Sequence, residues 1–139
     1  MLLIQNGLLY TMEEEHPIRA DILVKYGKIG RIALKVQREE SMEVLDAAGC
    51  KVFPGFIDAH SHIGISEEKK TVQMDSTNEG TNPITPCMRA IDAINPMDSA
   101  FHNALAVGIT SVMAGPGSAN PIGGQFAFIK TDGRRIDDM

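Results

Sequence analysis

The sequence predicts an α/β chain in two parts: a layer of short antiparallel strands over residues 1–53, then a strand–helix–strand unit within residues 54–139. Three observations carry this. Up to Phe53 the apolar runs are short, β-prone and broken by turn residues, with no stretch of helical period. From Phe56, a run with few charges is followed by a helix-period stripe and then by a second apolar run, Ile109–Ala114. That is the order of a βαβ unit with parallel strands. Between the two parts stands Pro54-Gly55-Phe56-Ile57-Asp58-Ala59-His60-Ser61-His62, a turn signal leading into a strand that ends in His-x-His.

The elements follow in order. Leu2–Gln5 and Leu8–Met12 flank Asn6-Gly7, a pair suited to a type I′ turn, so a first hairpin is expected there. Glu13-Glu14-Glu15-His16-Pro17 reads as a solvated acidic loop. Asp21–Tyr26 and Lys28–Ala33 flank Gly27 and read as a second hairpin. Gln37–Glu43 is a charged, exposed connection. Val44–Asp46 and Lys51–Phe53 flank Ala47-Ala48-Gly49-Cys50 as strand, turn and strand. Phe56–His62 reads as a strand covered on both faces, and Gly64–Pro83 as a long polar loop in which Asp75 and Glu79 either meet a ligand or lie on the surface. Thr85–Ile94 is expected to form a short helix. Asn95 then caps a second helix with Pro96 at its first position, an apolar stripe of Met97, Phe101, Ala104 and Leu105, and Gly108 as its stop. His102 reads as a helix-face residue. Gly115-Pro116-Gly117-Ser118 closes the second strand at the same end as the histidines; its spacing matches neither a P-loop nor a dinucleotide fingerprint, so it reads as a tight loop. Gln125–Lys130, with Phe126 and Phe128 alternating, reads as an added strand.

Composition narrows the class. The 139 residues carry a formal net charge of −5 and 43% hydrophobic residues, enough for a core and without the basic stripe of a nucleic-acid binder. No run reaches the ~18–20 apolar residues of a membrane span. Met1-Leu2-Leu3-Ile4 stops too early for a signal peptide. Cys50 and Cys87 form neither a disulfide framework nor a Cys-x-x-Cys site, which fits a reducing, cytoplasmic setting.

The chemistry lies in the His-x-His. Side chains alternate along a strand, so His60 and His62 project from one face with Asp58 one pleat behind. Two imidazoles on one face suit a shared zinc, iron, nickel or copper ion. On its own, such a pair is also an ordinary polar strand end. The surrounding residues add to it. Pro54, Gly55, Ile57, Asp58, His60 and His62 resemble the Pro-Gly-x-Ile-Asp-x-His-x-His signature of the metal-dependent amidohydrolase superfamily. Asn82-Pro83-Ile84-Thr85-Pro86, Ala106–Val112 and Gly115–Asn120 are similar to the imidazolonepropionase-related branch.

That resemblance implies a composite β-sandwich begun by residues 1–53 and, over 54–139, the opening βαβ portion of a (β/α)8 barrel, incomplete because such a barrel takes about 250 residues. It implies His60 and His62 as metal ligands, Asp58 as a supporting residue behind them, and one or two divalent ions, zinc foremost. No catalytic base is assigned within the chain. The implied reaction is hydrolysis of a cyclic or other non-peptide C–N bond in a small amide; N-acetyl-sugar deacetylation and dipeptide cleavage are sister activities. The other expectation is a non-catalytic fragment or interaction module. An incomplete barrel exposes strand edges, so self-association is expected.

Overall fold

The computed structural model describes residues 1–68 and 77–139. These form two compact units, Met1–Pro54 and Gly55–Met139.

In the first unit, β1 (Leu2–Leu9), β2 (Ile18–Lys25), β3 (Lys28–Ala33), β4 (Glu43–Asp46) and β5 (Lys51–Val52) make one five-stranded sheet. The expected second hairpin is present. Tyr26 and Gly27 both take positive φ, 52° and 72°, as a two-residue type I′ turn requires. The expected first hairpin is absent. β1 runs straight through Asn6-Gly7 and pairs with β2 on both sides, Ile4 opposite Ile22 and Gly7 opposite Ala20. Asn6 takes a left-handed φ of 64° as a bulge rather than a turn. The reason is the partner: β2 is long enough to match both apolar runs, and its Asp21 receives the N–H that the bulge frees, at 2.9 Å.

The layer is also not purely antiparallel. β4 and β5 both pair with β1 in parallel. After β3 the chain crosses back over the sheet through residues 34–42, pinned by Val36 and Met42, which are buried with Leu3 and Leu23. The charged connection therefore has two apolar anchors. Ala47–Cys50 is a jog in one edge rather than a hairpin: Ala47 N–H donates to Gln5 and Leu8 N–H to Cys50, at 2.8 and 3.0 Å. The jog sits opposite the bulge, and Asn6 Nδ2 ties the two by donating to Asp46 Oδ1 at 2.8 Å.

In the second unit, β6 (Phe56–Ser61), β7 (Ile109–Ala114) and β8 (Ala127–Lys130) form a sheet in that order, β6 and β7 parallel, β7 and β8 antiparallel. Helix α1 (Ser99–Ala106) links β6 to β7. The core gathers Ile65, Ala90, Ile94, Phe101, Val112, Ala114 and Ile129. β7, the central strand, is the buried one. β6 lies at the edge, with Phe56 and Ile57 53% and 63% exposed, so the expected cover on both its faces is not supplied by the described residues.

Helix α1 starts later than the Asn95-Pro96 pair suggests. Asn95 Oδ1 accepts Met97 N–H in a local turn, and Asp98 is the cap, its Oδ1 accepting Ala100 N–H at 3.1 Å. Gly108, at φ 89°, ends the helix as expected. The helix expected over 85–94 reduces to a 3-10 turn at Ala90–Asp92. Its backbone is engaged elsewhere: Thr85 N–H donates to Ile122, Ala90 N–H to Gln125 and Gln125 N–H to Met88, at 2.8–2.9 Å. With these groups tied to residues 122–125, the segment keeps isolated i−3 bonds and one i−4 bond, Ile94 N–H to Ala90 O, instead of a continuous helical ladder.

Candidate metal centre

Gly55 opens β6 and has to be glycine: a Cβ there would lie 2.2 Å from Thr110 Oγ1 on the neighbouring strand. With that close approach, Phe56 N–H reaches Gly108 O at 2.9 Å and β6 locks onto β7. Strand alternation then puts Asp58 and His60 on one face, and His62 follows just past the strand's end. The chain turns at once, with Ile65 and Ser66 N–H both donating to His62 O. Gly64 permits this turn at φ 77°, and a Cβ there would strike Ile94 and Phe101 at 2.8–2.9 Å.

The two histidine rings meet edge to face, centroids 5.2 Å apart at 83°. Each is held differently. His62 Nδ1 lies 2.8 Å from the carbonyl oxygen of Gly115. A carbonyl only accepts, so Nδ1 carries the proton and Nε2 of the neutral ring keeps its lone pair. His60 has no such bond to its ring among the described residues; the ring packs on Phe126, centroids 5.4 Å apart. Asp58 Oδ1 accepts the backbone N–H of His60 at 3.1 Å, so its support runs through the backbone.

The donor set suits a metal in part. Two imidazoles binding one zinc at about 2.0–2.1 Å at a tetrahedral angle put their ring centroids ~5 Å apart, which is the spacing here. A catalytic zinc takes three protein ligands, and among the described residues no group of three or more His, Cys, Asp or Glu comes together.

The loop after β7 does more than the sequence suggests. Gly115 N–H donates to Ser61 O while its own carbonyl takes His62. Farther on, Gly117 N–H donates to Thr77 O, Ala119 N–H to Asn78 Oδ1, and Asn120 both accepts Glu79 N–H and donates to Glu79 O, at 2.7–3.1 Å. This polar clasp joins the loops that follow β6 and β7. Glu79, one of the two candidate ligand-contacting residues, folds onto Thr81, whose Oγ1–H and N–H both donate to its Oε1 and hold the carboxyl below its usual range. Asp75, the other, lies outside the described residues. His102 is exposed on α1 and His16 in the loop after β1. A cavity of about 90 Å³ bounded by Thr85, Met88, Arg89 and Pro116 includes neither His60 nor His62 and has room for only a few waters.

No family model matches the chain. Individual proteins do. The amidohydrolase tasK of Hapsidospora irregularis is 35% identical over 145 aligned residues, covering 92% of this chain and 15% of that protein. A D-hydantoinase of Geobacillus stearothermophilus is 40% identical over 79 residues, covering 57% of this chain and 16% of that protein. The crystal structure of an amidohydrolase from Thermotoga maritima MSB8 superimposes with a TM-score of 0.89 and 40% identity, covering 99% of this chain and 35% of that one. The chain thus spans about a sixth of the curated relatives and about a third of the solved structure. Nearly the whole chain matches part of larger amidohydrolases in both sequence and backbone, and with them it groups in the amidohydrolase superfamily.

Proposed function

We propose that this chain carries the first two metal ligands, His60 and His62, of a metal-dependent amidohydrolase, and that the complete enzyme hydrolyses a C–N bond in a cyclic amide. The observation that carries the reading is the histidine pair itself: rings 5.2 Å apart, with His62 Nδ1 engaged by Gly115 and its Nε2 left for an ion. Zinc suits neutral imidazole, and the chemistry such an ion supplies is activation of water, from a pKa of 15.7 to about 7, and polarisation of a carbonyl. The chain's own residues orient that centre. Gly115 fixes the tautomer of His62, and Asp58 braces the backbone at His60. Further ligands and the proton-transfer group come from outside the described residues.

The cyclic-amide class is supported by the hydantoinase relative. The stretches Asn82–Pro86 and Gly115–Asn120 favour the imidazolonepropionase-related branch within the superfamily. On this reading residues 1–53 contribute to a β-sandwich and 54–139 to a (β/α)8 barrel. Both cysteines are free, in keeping with a reducing compartment, and no described helix is long and apolar enough to cross a membrane. A non-catalytic module is the second reading, favoured by the exposed edge strand β6.

Zinc titration against a chromophoric chelator tests the assignment. The wild-type chain is expected to bind zinc weakly, through two imidazoles, and His60→Ala/His62→Ala to abolish binding. No zinc uptake by the wild type, or tight one-to-one binding that survives the double replacement, overturns it.

A further inference from the structure

The two histidines are oriented by different means, and the difference points to a residue outside the metal-binding motif. Ala127 at the start of β8 pairs with Ala114 at the end of β7. Phe126 therefore falls beside Gly115. Gly115 has no Cβ; one built there would sit 2.2 Å from Phe126 Cδ1. The ring occupies that space and reaches across the end of the central strand to His60, at 5.4 Å and a 43° tilt, within the range of an aromatic pair. His60 is exposed, and its ring makes no hydrogen bond among the described residues. Its other ring neighbour is His62. A free imidazole on an exposed strand end samples several χ1 rotamers, and a ligand that samples rotamers binds an ion more weakly, since binding has to order it.

We infer that Phe126, seated on Gly115, is a positioning residue for His60, doing by packing what the Gly115 carbonyl does for His62 by hydrogen bonding. Gly115 then serves both ligands: its carbonyl takes one imidazole, and its bare Cα seats the ring that holds the other. The inference rests on the metal-ligand reading for its purpose, but its geometry is open to a metal-free test.

The experiment has two arms on the full 139-residue chain. In zinc-free protein, three-bond couplings report the χ1 of His60. A single rotamer and ring-to-ring Overhauser contacts with Phe126 are expected in the wild type. Averaged couplings are expected in Phe126→Ala and in Gly115→Ala, which displaces the ring without removing it. In the second arm, zinc affinity is measured for Phe126→Ala and Phe126→Leu with His60 present and with His60→Ala. Phe126→Ala should weaken zinc binding roughly 3- to 10-fold, Phe126→Leu less, and neither should matter once His60 is gone. Circular dichroism melts establish that each variant is folded, and Phe126→Leu carries the test if the alanine variant is not. An unchanged His60 rotamer in the Phe126 variants overturns the inference, as does a loss of affinity that persists without His60. If His60→Ala itself leaves zinc affinity unchanged, the ligand reading falls, while the rotamer arm still decides whether Phe126 holds His60.

Discussion

Asp21 in the first unit and the His60–His62 pair in the second are both ionisable groups carried by a strand or its end, and they are treated in opposite ways. Asp21 is 4% exposed and spends both carboxylate oxygens on its own chain: Oδ1 takes the N–H of the Asn6 bulge and Oδ2 the N–H of Val36, each at 2.9 Å. Among the described residues, His62 spends one ring nitrogen, on Gly115, and His60 spends none. A polar group whose valences are filled from the backbone is there to close a defect in the fold. One whose valences are left open, in a position the fold takes care to define, is free for a ligand. The contrast sets a carboxylate that closes the fold apart from imidazoles proposed to hold an ion, without reference to any relative.

The contrast breaks most visibly at Asp21. Burial works against its charged form, but the N–H groups of Val36 and Asn6, the Gln5 side chain and the nearby Lys35 outweigh burial and hold the carboxyl below the usual range. A carboxyl lowered in the folded state adds stability above the unfolded value of about 4, and that stability is lost as pH falls through the lower folded value. Asp21→Asn can match only one of the two N–H groups with its single carbonyl oxygen. It should cost about 2 kcal/mol in chemical denaturation at neutral pH. It should also remove part of the wild type's loss of stability below pH ~4. An unchanged denaturation midpoint at pH 7 would contradict the structural role given to this residue.

The same division governs what is legible in the sequence. The Tyr26-Gly27 hairpin, the stop at Gly108 and the added strand, read over 125–130 and formed over 127–130, all follow from local rules of alternation, turn chemistry and capping, and the two histidine rings meet although His62 lies just past the strand. What escaped local reading depends on partners distant in the chain. Asn6-Gly7 has the residues of a hairpin turn and becomes a bulge because β2 spans both its flanks. β4 and β5 become parallel because Val36 and Met42 draw the crossover down onto the sheet. Residues 85–94 give up a helix because Ile122 and Gln125 claim their backbone. In the site, the motif exposes the two proposed ligands but not what orients them. Gly115 and Phe126 are glycine and phenylalanine in a stretch that reads as loop and strand, and only the register of β8 against β7 brings them to the histidines.

A smaller effect is expected at His62. In the zinc-free chain its ring contributes one hydrogen bond, to Gly115, so His62→Ala should cost about 1 kcal/mol. His62→Asn, which retains an N–H donor on a shorter arm, should recover part of this without restoring zinc binding. A cost near that of Asp21→Asn would mean that His62 is a structural residue and would count against its open nitrogen being kept for a ligand.

His60 gives the smallest expected change in stability and the most informative one. Among the described residues its ring makes no hydrogen bond; it is exposed, with Phe126 and His62 as aromatic neighbours. His60→Ala in the zinc-free chain should therefore shift the unfolding free energy by only about 0.5 kcal/mol, the low end of an aromatic pair for an exposed ring. The same substitution should weaken zinc binding by an order of magnitude or more, because it removes a ligand rather than a support. Stability and affinity thus move independently at His60, at His62 the loss of affinity comes with a modest loss of stability, and at Asp21 only stability moves. Large destabilisation by His60→Ala with zinc affinity intact would invert that order and make the pair a structural device, leaving the ion to be sought elsewhere.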